Sequence, residues 1–476
     1  MKDIKSTHEA LAKKNISCVE LTDEHLKIAK KNESNSLISI LEDSAKAQAI
    51  KIDDEISKSG VNGYLHGIPY TLKDLFITKG IRTTAGSKSL YNYVPTYDGH
   101  VHSCLEKSGG VLIGKNGCDE FGMGSTNQNT IFGEVKFPLN KDYVPGGSSG
   151  GSAVSVLEQS CVYSIGTDTG GSVRLPANFC GLVGFKPSYG RISRYGQIAY
   201  GSSLDQASPF ARTPLDMAMI VDQLSANDPR DMTQVDCGSL NATKELLASS
   251  GKFDGLKLGY SEELLNGCRD DVKENLESAL KEFEKLGAKL VKVDLPHLKY
   301  CVAVYYLVAT SEASSNLSRF DGIHYGHRTK QESDLIETYK ASRAEGFGPE
   351  VKRRVMLGTF ALSSGYSDAF FKKAAKVRRL IFNDFQNAYE KCDLIFSPTC
   401  ATTAFKSGEK FSPLQMYMND LYTIPVNLAG LPAISLPYGV SKLNSLPTGF
   451  QLIGAPFSDK TLLVNAHKFT SLKGAQ

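Results

Sequence analysis

The chain has 476 residues, of which 41% are hydrophobic and 22% charged, and its 54 Lys+Arg against 51 Asp+Glu leave a formal net charge of +3. This balance is typical of a globular protein and excludes long disorder, collagen-like repeats and coiled coils. So small a surplus of positive charge also excludes a dedicated nucleic-acid-binding protein, and any contact with RNA must be local.

The first segment, residues 1–60, has the charged, alanine-rich, amphipathic pattern of outer helices, with a break at residues 32–35. Its start, MKDIKSTHEALAKKN, lacks the apolar core of a secretion signal. Because no run of about 18 apolar residues follows anywhere in the chain, we expect no contact with a membrane. The sequence therefore predicts a cytoplasmic protein.

The second segment, residues 62–215, is where glycine and serine cluster and where short β-type runs such as Val111-Leu112-Ile113 alternate with turns. Glycine allows the backbone to approach another group closely. We therefore expect the backbone of this segment to lie close to another group.

The last two segments, residues 240–350 and 351–476, alternate helical and strand patterns. Residues 271–287 predict a helix that stops at Gly287, and the strand KLVKVDL follows. The same order recurs near the end of the chain: a helix from about Asp368 to Tyr389, strands at Leu394-Ile395-Phe396 and at residues 450–453, and a helix opening at Ser458.

Strands that alternate with helices predict an α/β fold whose mixed, mostly parallel central sheet is covered by helices on both faces. We expect a single domain over residues 1–476. Within it, residues 240–350 form an insertion of helices and strands, and residues 351–476 complete the core.

Several short motifs suggest a metal site or a hydrolase nucleophile, but each lacks a feature that such a site requires. His324 and His327 have the spacing of a metal pair but lack a third ligand, and the ten cysteines include no C-x-x-C pair, so no metal is expected. Gly147 to Gly151 matches the G-x-S-x-G elbow of α/β-hydrolases, and His467 could supply its histidine. Pro145 and the glycines make a poor strand before that serine, which disfavours the elbow.

Two glycine-serine runs remain, PGGSSGGSAVSV from Pro145 to Val156 and GTDTGGSVRLP from Gly166 to Pro176. The first leads into an apolar helix near Ser152, so its amides can point at a ligand. In the second, residues 169–172 can present successive N–H groups to a developing oxyanion. Such runs are often flexible loops instead.

A lysine within a β-type run, Tyr70-Thr71-Leu72-Lys73-Asp74, is unexpected because a buried ammonium is costly and tends to lose its charge. Taken alone, Lys73 would be placed on the polar face at the end of an edge strand. Beside two serine loops, an uncharged Lys73 is a candidate general base for a serine nucleophile.

Together, Lys73 and the two glycine-serine runs resemble the amidase signature family, over about Gly63 to Ile453. Further segments resemble one branch of it, the A subunits of tRNA-dependent amidotransferases. They are DEFGMGST (119–126), GFKPSYGRISRYG (184–196), SSLDQ (202–206), EASSNLSRFDGIHYG (312–326), EGFGPEVKRRVMLG (345–358) and MYMNDLYTIPVNLAGLP (416–432).

The resemblance implies the amidase-signature fold and a catalytic triad in which Ser172 is the acyl-forming nucleophile, Ser148 lies on a cis peptide bond and relays the proton, and Lys73 is the base. It also implies an oxyanion hole formed by the amides of the second run, at Thr169, Gly170 and Gly171.

The resemblance further implies glutamine as the substrate, with Asp420 binding its α-ammonium and one arginine of the pair Arg353 and Arg354, preferably Arg353, binding its α-carboxylate. It implies no cofactor in this chain. A B subunit uses ATP and Mg²⁺ and makes most of the tRNA contacts, and a small C subunit completes a heterotrimer.

Two alternatives stay open at this stage. A free-standing amidase would act on a small amide without partners and without preference for glutamine. A scaffold without catalysis would only hold a tRNA-binding partner, although the presence of all three triad residues argues against it.

Overall fold

The computed structural model describes residues 3–249, 251–253, 255–331, 334–409 and 419–474. Met416 to Met418, which open one of the segments quoted above, lie outside these ranges. The helices are α1 Ile4–Ala12, α2 Cys18–Lys31, α3 Glu42–Ser59, α4 His100–Lys107, α5 Gly150–Leu157, α6 Arg174–Cys180, α7 Pro214–Leu224, α8 Ala242–Ala248, α9 Glu262–Asn266, α10 Asp270–Lys285, α11 Cys301–Asn316, α12 Leu335–Gly346, α13 Pro349–Leu362, α14 Lys373–Tyr389, α15 Ile424–Leu428 and α16 Asp459–Gly474.

The strands are β1 Leu37–Ile40, β2 Pro69–Lys73, β3 Val111–Asn116, β4 Tyr163–Thr167, β5 Val183–Lys186, β6 Ala207–Ala211, β7 Lys257–Tyr260, β8 Lys289–Lys292, β9 Leu394–Pro398, β10 Ala433–Val440 and β11 Pro447–Gly454. They form one sheet in the order β1-β3-β2-β4-β6-β5-β10-β11-β9-β7-β8. Each of the four segments distinguished in the sequence therefore contributes strands to the same sheet.

The predicted mixed sheet is confirmed, but the expectation that it is mostly parallel is wrong. Of the ten strand pairings described, β2 with β3, β2 with β4, β7 with β8 and β7 with β9 are parallel, and the other six are antiparallel. The antiparallel pairs include β10 with β11, which a short connection joins in the manner of a hairpin.

Helices of the last two segments cover both faces of the sheet. Side chains alternate between the two faces of a strand, and Leu394 and Phe396 of β9 join a core with α10 and α16. Ile395, between them, joins a separate core with α11 and α14. The predicted covering of both faces is thus confirmed.

The helices and strands predicted in the last two segments are also confirmed, with ends within three residues of the prediction. The helix predicted from Asp368 begins as a single π-turn, Asp368–Lys372, and becomes α-helical at Lys373. In the first segment, Asn32 adopts a left-handed conformation and ends α2. The sequence did not predict β1, a four-residue strand specified by its pairing with β3.

The topology brings two functional segments to one edge of the sheet. Lys73 is the last residue of β2, and the second glycine-serine run continues from the end of β4, the parallel neighbour of β2. Because the carboxyl ends of adjacent parallel strands share an edge, Lys73 and this run meet there. No helix of the described ranges has the length and apolar character needed to cross a membrane.

Candidate active site

Lys73 lies at the centre of a group of hydroxyls. Its side chain is fully buried, and Nζ lies 2.8 Å from Ser148 Oγ, from Ser149 Oγ and from Thr167 Oγ1. Since β2 lies between β3 and β4, the alternative of an exposed edge strand is wrong. Burial lowers the pKa of Lys73 to about 8, although the nearby Cys118 and Asp119 act in the opposite direction.

Ser148 lies in the first glycine-serine run, and the peptide bond that joins it to Gly147 is cis. Asp119 contacts this turn, because its amide donates to the Ser148 carbonyl. Its carboxylate accepts hydrogen bonds from the amides of Asn127 at 2.9 Å and Asn129 at 3.0 Å. A Cβ at position 147 would overlap the Asp119 carboxylate, which is why glycine is needed there.

The second run is held in shape by a buried ion pair between Asp168 and Arg174. Arg174 Nη2 lies 3.0 Å from Asp168 Oδ1 and donates also to the Asn427 side chain, and both charged side chains are fully buried. Although burial alone would raise the pKa of the Asp168 carboxyl, Arg174 outweighs it and lowers that pKa to about 2. The ion pair between Asp168 and Arg174 therefore fixes the conformation of residues 169–173.

Ser172 lies on this loop beside the first run, since its carbonyl accepts a hydrogen bond from the Ser149 amide at 3.3 Å. Ser148 is 1% exposed, whereas Ser172 is only partly buried. The hydrogen bonds therefore lead from a buried amine to a buried hydroxyl, and the partly buried Ser172 lies on the adjoining loop.

The structure corrects the expected set of oxyanion donors. The Gly171 amide donates to Asp168 Oδ1 at 2.9 Å, so it is not free to bind an oxyanion as the sequence suggested. Among the described residues, no hydrogen-bond acceptor contacts the amides of Thr169, Gly170 and Ser172. These three N–H groups are the ones available for a developing negative charge.

The loop is enclosed by residues from distant parts of the chain. Thr423 Oγ1 donates to the Gly170 carbonyl at 2.7 Å, and Gly171 has a φ of +129° that only glycine adopts readily. A Cβ on Gly171 would overlap Thr423, and one on Gly170 would overlap the Tyr305 ring. Thus neither run is a flexible linker, because both are buried and packed.

The expectation that Arg353 faces the site is wrong, and Arg354 takes its place. The Arg353 side chain is 49% exposed and pairs with Glu350. Arg354 is 5% exposed by its side chain, and its Nη1 donates to Tyr200 Oη at 2.7 Å. Helix α13 buries Val351, Arg354, Gly358 and Ala361, so its helical phase places Arg353 outside.

Asp420 is also buried, and its Oδ2 accepts a hydrogen bond from Ser125 Oγ at 2.7 Å. Burial raises the pKa of Asp420 to about 7, while the Ser125 hydroxyl and the Arg354 charge oppose this change. The backbone carbonyl of Asp420 accepts from the Thr423 and Ile424 amides, which ties this carboxylate to the loop beside Gly170.

Asp205, for which the sequence predicted no role, connects the Thr169 loop to Arg354 through Tyr200. Asp205 Oδ1 accepts from Thr169 Oγ1 at 2.7 Å, and Oδ2 accepts from the Tyr200 amide at 2.9 Å. Tyr200 in turn bonds Arg354. The motif SSLDQ contained the residue, but only the fold shows its partners.

Chemically, the arrangement can activate a hydroxyl and stabilise an oxyanion. A lysine with lowered pKa can accept a proton from Ser148, and the amides of Thr169, Gly170 and Ser172 are available on the adjoining loop. Asp420 and Arg354 add an acidic and a basic side chain that interact with each other electrostatically.

Comparisons with known proteins show the family to which the chain belongs. The profile of the amidase family matches residues 20–463. The chain is 48% identical over 470 residues to the A subunit of glutamyl-tRNA(Gln) amidotransferase from Geobacillus thermodenitrificans, covering 98% of this chain and 96% of the relative. It is 47% identical over 470 residues to the protein of the same name from Geotalea daltonii, with 98% and 96% covered.

Solved structures show the same fold. The crystal structure of the glutamyl-tRNA(Gln) amidotransferase A subunit from Thermotoga maritima aligns with a TM-score of 0.76 at 38% identity, covering 94% of this chain and 92% of that one. A crystal structure of an amidase aligns with a TM-score of 0.83 at 27% identity, covering 99% of both. The chain therefore belongs to the amidase family, and within it to the group of glutamyl-tRNA(Gln) amidotransferase A subunits.

Proposed function

We propose that this chain is the glutaminase subunit of a tRNA-dependent amidotransferase, which hydrolyses glutamine and supplies ammonia for the conversion of Glu-tRNA(Gln) to Gln-tRNA(Gln). The observation that carries the proposal is the contact of the buried Lys73 amine with Ser148, on a cis peptide bond beside the Ser172 loop. The names of the relatives support the physiological reaction.

In the first step, Ser172 Oγ attacks the side-chain carbonyl carbon of glutamine. Its proton passes to Ser148 Oγ, whose own proton passes to Lys73 Nζ, 2.8 Å away. A group with a pKa of about 8 is uncharged in about a tenth of the molecules at pH 7, so a useful fraction of the enzyme is ready to accept the proton.

The attack converts the carbonyl oxygen into an oxyanion, which the amides of Thr169, Gly170 and Ser172 stabilise. One such donor is typically worth about 2.7–4 kcal/mol of transition-state stabilisation. When the intermediate collapses, the carbon–nitrogen bond breaks and the leaving nitrogen takes a proton back from Lys73 through Ser148. Ammonia and a glutamyl ester of Ser172 result, and water then hydrolyses the ester to glutamate.

Asp420 and Arg354 select a free amino acid. The Asp420 carboxylate pairs with the α-ammonium of glutamine, and the Arg354 guanidinium pairs with its α-carboxylate. An amide that lacks these groups would forgo both charge-assisted contacts, which weakens its binding relative to glutamine. This selection distinguishes the proposed function from a free-standing amidase of small amides.

We expect Arg354→Lys and Asp420→Asn each to raise KM for glutamine at least about tenfold, because each removes part of a charge-assisted contact. Hydrolysis of propionamide, which has neither charged end, should change much less. Steady-state ammonia release from both amides measures the difference. Arg353→Lys is the matched control on the same helix and should stay within about twofold of the wild type. Equal losses on both amides would argue against these roles.

The chain requires no cofactor of its own in this proposal. A partner B subunit uses ATP and Mg²⁺ and holds most of the tRNA, and a small C subunit completes the heterotrimer. To test the function, ammonia release from glutamine is measured for the chain alone and with the co-expressed B and C subunits. We expect hydrolysis of glutamine in preference to propionamide. No hydrolysis of glutamine in either preparation would refute the proposal.

A further inference from the structure

A large cavity lies apart from the residues described above, between the segments 77–97 and 316–330. Its volume is about 910 Å³, and residues 196–199 form a third wall. This volume is near the upper end of the range for organic ligands, about 300–1,000 Å³. None of Lys73, Ser148, Ser172, Arg354 and Asp420 lines it, so the cavity is a second candidate binding site.

The lining of the cavity is strongly basic. Lys88, Arg319, Arg328 and Lys330 are exposed residues that line it, and no Asp or Glu does so among the described residues. These four fixed positive charges exceed the net charge of +3 carried by the whole chain. The lining of the cavity therefore carries more net positive charge than the chain as a whole.

Two carboxylates, Asp321 and Glu345, hydrogen-bond histidines that line the cavity and offset part of this positive charge. His324 Nδ1 lies 2.8 Å from Asp321 Oδ2, and His327 Nε2 lies 2.7 Å from Glu345 Oε2. Both histidines line the cavity. The pairs fix the loop that carries Arg328, while the lysine and arginine charges remain available to an anionic ligand.

Aromatic rings accompany the positive charges. Tyr97 and Tyr325 line the cavity and are 41% and 60% exposed, so both rings are accessible to a ligand. Tyr93 and Phe320, which also line the cavity, are half-buried behind them. Exposed rings beside lysine and arginine are the combination that stacks bases and pairs with phosphates of single-stranded nucleic acid.

We propose that this cavity binds single-stranded RNA. The basic residues would pair with the phosphates, and Tyr97 and Tyr325 would stack on unpaired bases. A concave site of this kind favours a single strand over a duplex, whose bases are already stacked on one another. An acidic protein segment would satisfy the charges but would make no use of the exposed rings. Because the segment 312–326, by which the chain resembles amidotransferase subunits, supplies Arg319 and Tyr325, the cavity gives this segment a role outside hydrolysis.

The test is the fluorescence anisotropy of fluorescein-labelled oligoadenylate titrated with the full-length chain at several salt concentrations. The triple variant Lys88→Ala, Arg328→Ala, Lys330→Ala should bind at least about tenfold more weakly at low salt. It should also lower the slope of log K against log salt by about 2, since each phosphate contact on a single strand contributes about 0.7. Tyr325→Ala should weaken binding about tenfold through lost stacking.

The matched control, Lys244→Ala, Lys281→Ala, Lys289→Ala, removes the same charge from exposed positions that do not line the cavity. Wild-type affinity in the first triple variant, or equal losses in both, would overturn the proposal. So would no binding by the wild type, or displacement of the RNA by poly-glutamate as readily as by unlabelled oligoadenylate. Glutamine hydrolysis by the same variants should stay unchanged, so RNA binding and the proposed glutaminase function can fail independently.

Discussion

Ser172→Ala should abolish glutamine hydrolysis, with a fall in kcat of about 10⁵-fold or more, as is found when a serine nucleophile is removed from other enzymes. Without the hydroxyl no ester can form, and neither Ser148 nor Lys73 offers a substitute because both are buried. Ammonia release from glutamine measures the loss, and mass spectrometry should detect no glutamyl adduct on the variant chain.

The loss must be separated from misfolding. Ser172 is only partly buried and its side chain does not hold the loop, which depends on Asp168 and Arg174. The unfolding temperature and the association with the B and C subunits should therefore match those of the wild type. Retained ammonia release by a folded Ser172→Ala protein would show that another residue is the nucleophile.

Lys73→Ala should lower kcat/KM about 10³-fold, within the range of about 10²–10⁴ typical of general-base catalysis. In the wild type the amine accepts a proton only when uncharged, so kcat/KM should rise with pH and level off above the Lys73 pKa of about 8. The variant should lose this rise and keep only the rise near pH 7 that ionisation of Asp420 causes. Rates measured between pH 6 and 10 give both results.

The pH profile is also the control, because a variant that is merely damaged would keep the wild-type profile at lower amplitude. Thr167→Val offers a second comparison. It removes one of the hydroxyls around Nζ but leaves Ser148 in place, so it should retain most of the activity. A Lys73→Ala protein with the wild-type profile and activity within tenfold would point to a different base.

The residues that we propose to be catalytic could be identified in the sequence because their motifs are local. Lys73 stands out as a lysine in an apolar strand, and the serine runs are contiguous. The buried arginine was harder to predict, because both Arg353 and Arg354 fit the motif. The apolar pattern of α13 decides between them: Val351, Gly358 and Ala361 share a face with Arg354, a signal present in the sequence and not used.

Other features depend on contacts that no local pattern reports. The Gly171 amide looked like an oxyanion donor until the fold showed Asp168 accepting its hydrogen bond. The basic cavity escaped notice because Lys88 is separated in sequence from the segment 316–330 that completes it. The excess of parallel strands was expected from alternating helices and strands, but β5, β6, β10 and β11 pair antiparallel.

The hydroxyls around Lys73 allow both charge states of this side chain to be satisfied in place. An ammonium group offers three hydrogens, which suit three hydroxyl oxygens, while a neutral amine offers two and presents a lone pair. Since the Ser149 hydroxyl donates to the Thr167 carbonyl, the lone pair can be met by the hydrogen of Ser148 or Thr167. The proton can thus be stored on the amine and returned in every turnover by rotation of hydroxyl hydrogens alone, with no heavy atom changing its rotamer.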